Sequence, residues 1–457
     1  MQNMTLENIA GCLGCKLYQA AGLEQTQITG AVLDSRKVEP GYAFFATKGE
    51  RVDGHSFIPQ VAEKEAALVI CQEAPTVDIP YILVEDTFEA LKKVAAFYRD
   101  QLIIPIIGVT GSVGKTSTKE MIAAGLSTKF NVLKTQGNFN NEVGLPLTIL
   151  SIRGEYQAAV VEMGISDFGE MHRLSQIAKP DICVITNIGQ CHLENLINRD
   201  GILRAKTEIF DFMAKDGYVV LNGDDDKLAT VQNVNGRCPW FFGLESEGVS
   251  GVKKDVYATE ICSKGLFGSD FKMHLQGEVL EATVPLPGQH MVVNALAAAC
   301  VGKILGMDDA DILAGIAAVQ ATGGRSNIIR LEDKTVIDDC YNANPVSMKS
   351  AVDLLMMANG PKCVILGDMF ELGTEERALH GEVGQYAALA RLEKMIFIGE
   401  LAKEMYEGAM KLRAMPEYYK DKAAFFEVYK KEDFADMTVL VKASHGMHFE
   451  EIVEWMK

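Results

Sequence analysis

Short apolar runs separated by helical patterns dominate the chain beyond about residue 100. Runs bounded by Gly, Pro or Asp predict buried strands at residues 105–110, 158–162, 182–186 and 218–221. A second series, at residues 336–339, 363–366, 395–398 and 438–441, is also followed by helical patterns. Because this alternation is typical of parallel sheets covered by helices, the pattern predicts an α/β fold with two doubly wound units.

The remaining segments suggest where the domains begin and end. The first 100 residues mix short strand-like and helix-like pieces and finish in a helical run at 87–99. Short alternating strands between 251 and 284 precede an Ala-rich helix predicted at 294–305, and a Gly-Gly break follows near residue 323. We therefore expect three domains, at 1–100, 101–320 and 321–457.

The amino-acid composition and net charge limit the kinds of partner that the protein is expected to bind. The 457 residues include 44 Lys and Arg against 62 Asp and Glu, a net charge of −18, and 48% are hydrophobic. An acidic protein lacks the basic surface that nucleic acids and anionic membranes select, so neither is expected as a partner. The first residues do not resemble a secretion signal, and every apolar run is well short of the ~20 residues that span a bilayer. We expect a cytoplasmic enzyme with no stable membrane insertion.

A glycine-rich loop between a predicted strand and a predicted helix is the clearest chemical motif. It reads Gly-Val-Thr-Gly-Ser-Val-Gly-Lys-Thr-Ser over residues 108–117. Backbone amides of such a loop cradle phosphates, Lys115 would reach the β- and γ-phosphates, and Thr116 would offer its hydroxyl to Mg²⁺. The expected nucleotide-binding residues are Thr110, Gly111, Ser112, Val113, Gly114, Lys115, Thr116 and Ser117. The loop alone does not distinguish kinases, switches and ligases, since all of them use it.

Two potential metal ligands follow neighbouring predicted strands. Glu162 ends one strand and His192 follows the next. Because α/β sheets place their ligands at the carboxyl edge, both side chains are expected beside the phosphate loop. A carboxylate there suits Mg²⁺, a cation that prefers oxygen ligands.

The loop Thr-Gly-Ser-Val-Gly-Lys-Thr-Ser, with Glu162 and His192 downstream, resembles the Mur ligase family of ATP-dependent amide-forming enzymes. The resemblance implies an N-terminal UDP-sugar-binding domain, a central P-loop ATPase domain and a C-terminal Rossmann-like domain. It also implies ATP, two Mg²⁺ ions and an acyl-phosphate intermediate. Lys206 stands in Ala-Lys-Thr-Glu-Ile-Phe, and in most Mur ligases the matching lysine carries a CO₂-derived carbamate that supports the second Mg²⁺.

The resemblance extends to further nucleotide contacts. Asn294, in Val-Val-Asn-Ala-Leu-Ala, is implied to contact adenine, although a helix-starting asparagine could also be only a cap. Arg325, in Gly-Gly-Arg-Ser, and Asp339 are implied to contact ATP. Met291 stands where similar segments usually carry Asn.

Two long motifs resemble one branch of the family. They read Asp-Asp-Cys-Tyr-Asn-Ala-Asn-Pro-Val-Ser-Met from residue 338 and Leu-Gly-Asp-Met-Phe-Glu-Leu-Gly from residue 366. This branch joins D-alanyl-D-alanine to UDP-N-acetylmuramoyl-tripeptide for peptidoglycan and cell-wall synthesis. The implied substrate-binding residues are Ser35, Arg36, Lys48, Asn138, Asn140, Asn141, Tyr341, Asn342 and Asn344. Near the C-terminus, Ala443 and His445 depart from the Lys-Gly-Ser-Arg expected of this branch.

Two other functions stay open on these motifs. Another ligase of the family, such as a folylpoly-γ-glutamate synthetase, would share the loop but would not need the N-terminal Asp-Ser-Arg and Asp-Gly-His segments. A P-loop relic that binds nucleotide without catalysis would not need Glu162, His192 and Lys206. The resemblance gives no partner subunit, and we expect a monomer.

Overall fold

The computed structural model describes residues 1–49, 52–189, 191, 193–244, 252–320, 327–370 and 372–457. They form two compact units. The first consists of Met1–Ile261, Phe271–Ala282 and His290–Ala318, and the second of Cys262–Asp270, Thr283–Gln289 and Val319–Lys457. The three domain ranges expected from the sequence stay a prediction, because this division follows compactness and not domain ancestry.

The N-terminal part of the first unit contains a five-stranded sheet. Its strands are β1 (Leu17–Tyr18), β2 (Gly30–Val32), β3 (Tyr42–Phe45), β4 (Leu68–Cys71) and β5 (Tyr81–Leu83), in the order β1-β5-β4-β3-β2. All neighbours are parallel except β1 and β5. The helices here are α1 (Leu6–Leu13), α2 (Ile58–Glu63) and α3 (Thr87–Arg99). The side chain of Asp86 caps α3 by accepting the amides of Phe88 and Glu89.

A nine-stranded sheet follows. Its strands are β6 (Ile106–Thr110), β7 (Val132–Lys134), β8 (Ala158–Glu162), β9 (Ile182–Ile185), β10 (Tyr218–Asn222), β11 (Trp240–Leu244), β12 (Val256–Ser263), β13 (Ser269–Leu275) and β14 (Glu278–Val284). The order is β14-β13-β12-β11-β10-β9-β6-β8-β7, and the pairs from β12 to β7 are parallel. Every residue of β6, β8 and β9 is buried, which is the expected property of central parallel strands.

Seven helices accompany this sheet in the described ranges. They are α4 (Lys115–Leu126), α5 (Gly144–Leu150), α6 (Glu170–Ala178), α7 (Leu193–Leu196), α8 (Arg199–Thr207), α9 (Gln289–Ile304) and α10 (Asp309–Ala317). The Ala-rich helix α9 begins five residues earlier than the sequence suggested. Asn294 therefore lies inside the helix, and its interpretation as an N-terminal cap is wrong.

The second unit is built on a six-stranded sheet. Its strands are β15 (Asn327–Arg330), β16 (Thr335–Asp338), β17 (Lys362–Gly367), β18 (Lys394–Ile398), β19 (Glu417–Tyr419) and β20 (Thr438–Lys442), in the order β15-β16-β20-β17-β18-β19. Only the edge pair β15 and β16 is antiparallel. The helices are α11 (Pro345–Met356), α12 (Glu376–Leu389), α13 (Ala402–Lys411), α14 (Lys422–Val428) and α15 (Glu450–Met456).

Strand β17 shows why this sheet is covered on both faces. Cys363 and Ile365 pack into one apolar cluster, whereas Val364 and Leu366 pack into another on the opposite face. Successive side chains of a strand point to opposite faces, so a continuous apolar run requires helices on both sides. The predicted doubly wound α/β fold is confirmed. Within the described ranges, no helix is both long and apolar enough to cross a bilayer.

Candidate active site

The phosphate loop connects the buried end of β6 to the first turn of α4. Gly111 has φ 155°, and a Cβ on it would lie 1.9 Å from Thr186 Oγ1, so the close approach of these two segments requires glycine. Gly114 has a left-handed φ of 79° immediately before α4 begins at Lys115. The strand–loop–helix context expected from the sequence is confirmed. This geometry brings a helix N-terminus, a natural anion site, to the carboxyl edge of the sheet.

The segment after β9 holds the phosphate loop in place. The amides of Ser112 and Val113 donate to the backbone and side-chain oxygens of Asn187 at 3.1 and 3.0 Å. Thr186 Oγ1 donates to Val113 O at 2.7 Å, and the Ser112 hydroxyl bonds to Gly189 through both its backbone amide and its carbonyl. Thr186 and Asn187 were not predicted from the sequence to support the loop. Their signal is a polar pair that follows a buried strand.

Lys115 lies in the first turn of α4. Its Nζ donates to Gly111 O at 2.9 Å and to Ser112 O at 3.4 Å. The ammonium group thus lies against the loop that would surround the phosphates. Thr116 and Ser117 follow in the same turn.

Glu162 ends β8 and is 2% exposed. Its register partner in β6 is Val109, which places the carboxylate beside the start of the phosphate loop. Asn140 Nδ2 donates to Glu162 Oε1 at 2.8 Å, but Oε2 is buried without a hydrogen-bond partner. Thr110 Oγ1, at the end of β6, is also buried and unsatisfied.

The surroundings of Glu162 Oε2 and Thr110 Oγ1 indicate whether this edge of the sheet could bind a divalent cation. A buried carboxylate oxygen without a donor is costly unless something positive reaches it. The donor set is hard oxygen, which suits Mg²⁺ held through one carboxylate and substrate phosphates. Among the described residues no three His, Cys, Asp or Glu side chains form a metal-holding group. His192, the other predicted ligand, lies outside the described residues.

Lys206 is on α8 and is 1% exposed. Burial, with a smaller contribution from the positive charge of Lys115, lowers the pKa of Lys206 from 10.5 to about 8. A buried lysine was not predicted from its helical sequence context alone, where an exposed lysine would be ordinary.

Asn294 belongs to the same part of the first unit. It is 7% exposed, and its Oδ1 accepts a 2.9 Å hydrogen bond from Thr118 Oγ1 on α4. Its Nδ2 lies 3.6 Å from the sulfur of Met291, the residue that departs from similar segments. Arg325, the other basic nucleotide contact expected, lies outside the described residues.

The asparagines at 138–141 have different surroundings. Asn140 contacts Glu162, as described above, and its side chain also packs on Gly164. Asn141 Oδ1 accepts the amides of Val143 and Gly144 at 3.1 and 2.9 Å, which stabilises the turn that precedes α5. Asn138 is exposed. The segment thus supports Glu162 and the turn before α5, and both Asn138 and Asn141 are exposed.

In the N-terminal sheet, the expected diphosphate contacts are paired within their own loops. Arg36 forms a bidentate pair with Asp34 and is largely exposed, while hydrogen bonds from Arg36 lower the pKa of Asp34 to about 2. Lys48 lies 3.7 Å from Asp53. Ser35 is buried, with its hydroxyl 3.4 Å from Gln60 Oε1. Both basic side chains are on the surface, where an anionic ligand could recruit them.

In the second unit, a buried lysine organises the segment after β16. Lys442, 2% exposed at the end of β20, donates to Asp339 Oδ2 at 2.6 Å and to Asn342 O at 2.8 Å. Asn344 caps α11 through a reciprocal pair with Ser347. The ring of Tyr341 lies 6.2 Å from that of His445. Lys442 was not among the predicted site residues, although a lysine at the end of an apolar strand is an unusual sequence feature.

The second long motif, from residue 366, has a structural role. Asp368 Oδ1 accepts the amide of Ala402 at 2.7 Å, at the start of α13, while burial raises the pKa of this carboxyl group. His380 Nε2 accepts the amide of Met369 at 2.9 Å, and its Nδ1 donates to Glu376 O. These bonds hold α12 and α13 against the end of β17.

The two C-terminal departures differ in environment. Ala443 is fully buried, and its Cβ would lie 2.8 Å from a Cβ placed on Gly367. The extra methyl group is therefore accommodated because its neighbour is glycine. His445 is exposed.

Comparison with known proteins extends these observations to the whole chain. Three domain families match, described as the Mur ligase family catalytic domain at 27–116, the Mur ligase middle domain at 109–302 and the Mur ligase glutamate ligase domain at 324–445. A Bacillus subtilis protein named UDP-N-acetylmuramoyl-tripeptide–D-alanyl-D-alanine ligase is 36% identical, with 99% of this chain and 98% of that protein covered.

Two solved structures are similar over nearly the whole length. A crystal structure of MurF from Acinetobacter baumannii has a TM-score of 0.90 and 32% identity, and covers 99% of this chain and 98% of its own. The MurF ligase of Thermotoga maritima in complex with ADP has a TM-score of 0.75 and 28% identity, and covers 93% and 96%. The resemblance stated from the motifs is confirmed.

Proposed function

The chain belongs to the Mur ligase family, and on that premise we propose that it joins D-alanyl-D-alanine to UDP-N-acetylmuramoyl-tripeptide at the expense of ATP. The product is a peptidoglycan precursor. One observation gives the main support for this function. The Bacillus subtilis relative that is named for this reaction is similar over 99% of this chain, so the similarity includes the substrate regions as well as the phosphate loop. The strand–loop–helix geometry at residues 108–117, the buried Glu162 at the end of β8 and the buried Lys206 on α8 support this proposal.

The reaction divides into two steps. The terminal carboxylate of the tripeptide attacks the γ-phosphorus of ATP, which gives an acyl phosphate and ADP. The amine of D-alanyl-D-alanine then attacks the acyl carbon, loses a proton and expels phosphate, so that an amide forms. Lys115 and the amides of the phosphate loop stabilise the charge on the transferring group, and most of the catalysis is positioning and electrostatic stabilisation.

Two Mg²⁺ ions would neutralise the phosphates and polarise the transferring group when bound. Thr116 and Glu162 are the residues we assign to them, with His192 and the modified Lys206 completing the set. The unsatisfied Oε2 of Glu162 supports this assignment. The ADP bound in the Thermotoga maritima relative agrees with the use of ATP.

We assign a carbamate to Lys206. Only the neutral amine reacts with CO₂, forming an N–C bond and releasing a proton. Because its pKa is lowered to about 8, a much larger fraction of this lysine is neutral near pH 7 than of an ordinary one. The resulting anion would also relieve the unfavourable proximity of two positive side chains, Lys115 and Lys206.

The remaining contacts are assigned by region. Asn294, Arg325 and Asp339 would bind the nucleotide. Ser35, Arg36 and Lys48 would bind the UDP-sugar part, and the other predicted residues, Asn138, Asn140, Asn141, Tyr341, Asn342 and Asn344, would bind the peptide substrates. The three domains at 1–100, 101–320 and 321–457 would each supply one of these regions.

We place the reaction in the cytoplasm, where ATP and UDP-linked precursors are available, and propose that the enzyme acts as a monomer.

The two other functions are less well supported. A folylpoly-γ-glutamate synthetase would not account for full-length similarity to a protein that uses a UDP-linked tripeptide. A non-catalytic relic would have no need of the proposed metal ligands Glu162, His192 and Lys206.

The decisive experiment measures ADP release from ATP and Mg²⁺ with UDP-N-acetylmuramoyl-tripeptide and D-alanyl-D-alanine, and with each omitted in turn. We expect turnover only with both substrates, and loss of turnover in Lys115→Ala. The matched control is Lys129→Ala, which removes an exposed lysine beyond the end of the same helix. ADP release that is the same with and without both substrates would indicate the P-loop relic. Turnover only with a folate and L-glutamate would indicate a folylpoly-γ-glutamate synthetase.

A further inference from the structure

A buried ion cluster lies beneath the helix that follows the phosphate loop. Lys119, on α4, has a side chain that is 2% exposed. Its Nζ donates to Thr135 O at 2.7 Å and lies 3.0 Å from Glu120 Oε1. A lysine buried to this degree is stable only where charges and carbonyls surround its ammonium group.

The same ammonium group faces the candidate metal ligand. Lys119 Nζ lies 3.9 Å from Glu162 Oε2, the oxygen without a hydrogen-bond partner. Asn140 holds the other oxygen at 2.8 Å, and Thr135 Oγ1 accepts the backbone amide of Glu162 at 2.9 Å. Glu162 is thus held from three sides, while Oε2 is attracted by a charge too distant to form a hydrogen bond.

The cluster also balances its charges. Two buried carboxylates, Glu120 and Glu162, share the ammonium group of Lys119. Lys134 pairs with the outer oxygen of Glu120, but its side chain is 38% exposed and it is not paired with Glu162. Within the described ranges, Lys119 is therefore a buried cation that partly compensates the charge of Glu162.

We propose that Lys119 is a positioning residue for the metal-binding carboxylate: together with Asn140 it fixes the orientation of Glu162 and leaves Oε2 available to a divalent cation on the nucleotide. This inference rests on the proposed nucleotide and Mg²⁺ site. Partners of metal ligands orient the ligand, and their removal commonly costs about 10- to 100-fold in metal affinity. Lys119 itself touches neither substrate nor metal.

The test measures binding of Mn²⁺ with ADP by isothermal titration calorimetry, alongside the melting temperature of the unliganded protein. We expect Lys119→Met, which keeps the length of the side chain but removes its charge, to weaken Mn²⁺–ADP binding by about tenfold or more. Lys119→Arg restores the charge and is expected to lose less. The matched control is Lys134→Met, which breaks a contact with the same Glu120 and is expected to stay within about twofold, because it is not paired with Glu162.

Asn140→Ala keeps the test decisive if Lys119→Met does not fold. It removes the hydrogen bond to Glu162 Oε1 from a half-buried position and is also expected to weaken Mn²⁺–ADP binding. A folded Lys119→Met or an Asn140→Ala that binds Mn²⁺–ADP as tightly as the wild type, even with a lowered melting temperature, would overturn the inference. If the wild type itself binds no Mn²⁺–ADP, the proposed nucleotide and Mg²⁺ site is wrong as well. This outcome distinguishes failure of the proposed site from failure of the positioning role of Lys119.

Discussion

Thr118 Oγ1 donates a 2.9 Å hydrogen bond to Asn294 Oδ1, and this bond joins the phosphate-loop helix α4 to the Ala-rich helix α9, 176 residues later in the chain. Thr118 is fully buried and Asn294 nearly so. The orientation of the Asn294 amide is therefore coupled to the helix that carries Lys115 and Thr116.

Breaking this bond is expected to destabilise the first unit. Thr118→Val removes the donor and leaves a buried amide oxygen unsatisfied, so we expect the free energy of unfolding to fall by about 1–3 kcal/mol. Urea denaturation followed by Trp240 fluorescence in a Trp455→Phe background reports on this unit. Thr76→Val, at an exposed threonine in the loop between β4 and β5 of the same unit, is the control and is expected to change the free energy of unfolding by less than about 0.5 kcal/mol. Equal effects of both variants would contradict the role of the bond.

Gly111→Ala is expected to disrupt the phosphate loop. The new Cβ would lie 1.9 Å from Thr186 Oγ1, so the loop or the segment after β9 must move. A misplacement of about 1 Å in a positioning element costs about 100-fold in rate, and we expect a loss of that order in ligase turnover. Gly154→Ala is the control, because a Cβ there meets nothing within 4 Å. Turnover of Gly111→Ala close to that of Gly154→Ala would show that the loop tolerates the shift.

The local pattern of apolar and polar residues was sufficient to predict the central features of the fold. The strand ending at Glu162 and the helix at 87–99 have the bounds that were predicted, because apolar runs and an Asp cap are encoded within a few residues. The placement of Glu162 beside the phosphate loop also followed from one rule, that parallel strands share their carboxyl edge.

The features that were not predicted depend on residues that are far apart in the sequence. Lys119 is adjacent to Glu162 only because β8 pairs with β6, and periodicity does not specify that register. Asn294 was interpreted as a possible cap because the Ala-rich helix was predicted to begin there, but the helix begins at Gln289. Burial of Lys206 depends on how α8 packs, and a lysine in a short helix carries no local sign of it.

Lys442 is expected to stabilise the second unit. It is buried and donates to both Asp339 and Asn342, so Lys442→Met would leave a mostly buried carboxylate without this cation. We expect a loss of about 3 kcal/mol in the free energy of unfolding, followed by Trp455 fluorescence in a Trp240→Phe background. Lys349→Met breaks a 3.3 Å surface pair with Glu382 and is expected to cost less than about 1 kcal/mol. A Lys442→Met variant as stable as Lys349→Met would rule out the bridging role.

A carbamate on Lys206 predicts a ¹³C signal from labelled bicarbonate. We expect a carbamate carbon resonance in the wild-type protein with ADP and Mg²⁺, and ligase activity that falls in CO₂-depleted buffer and returns on addition of bicarbonate. Lys206→Arg, whose guanidinium group stays protonated, is expected to show neither effect. Full activity of the wild type without CO₂, together with no such resonance, would exclude the modification.

The unmodified Lys206 also predicts a dependence of stability on pH. Its pKa is about 8 in the folded protein, against 10.5 ordinarily, because the ammonium form is desolvated. Between these values the unfolded chain binds more protons than the folded one, so the free energy of unfolding rises with pH. In CO₂-free buffer we expect the stability of the wild type relative to Lys206→Met to increase by about 2 kcal/mol from about pH 7 to about pH 9.5. Titrations common to both proteins cancel in this difference. A difference that is flat or falls with pH would mean that Lys206 stays protonated in the folded protein, in which case its amine would not be prepared to react with CO₂.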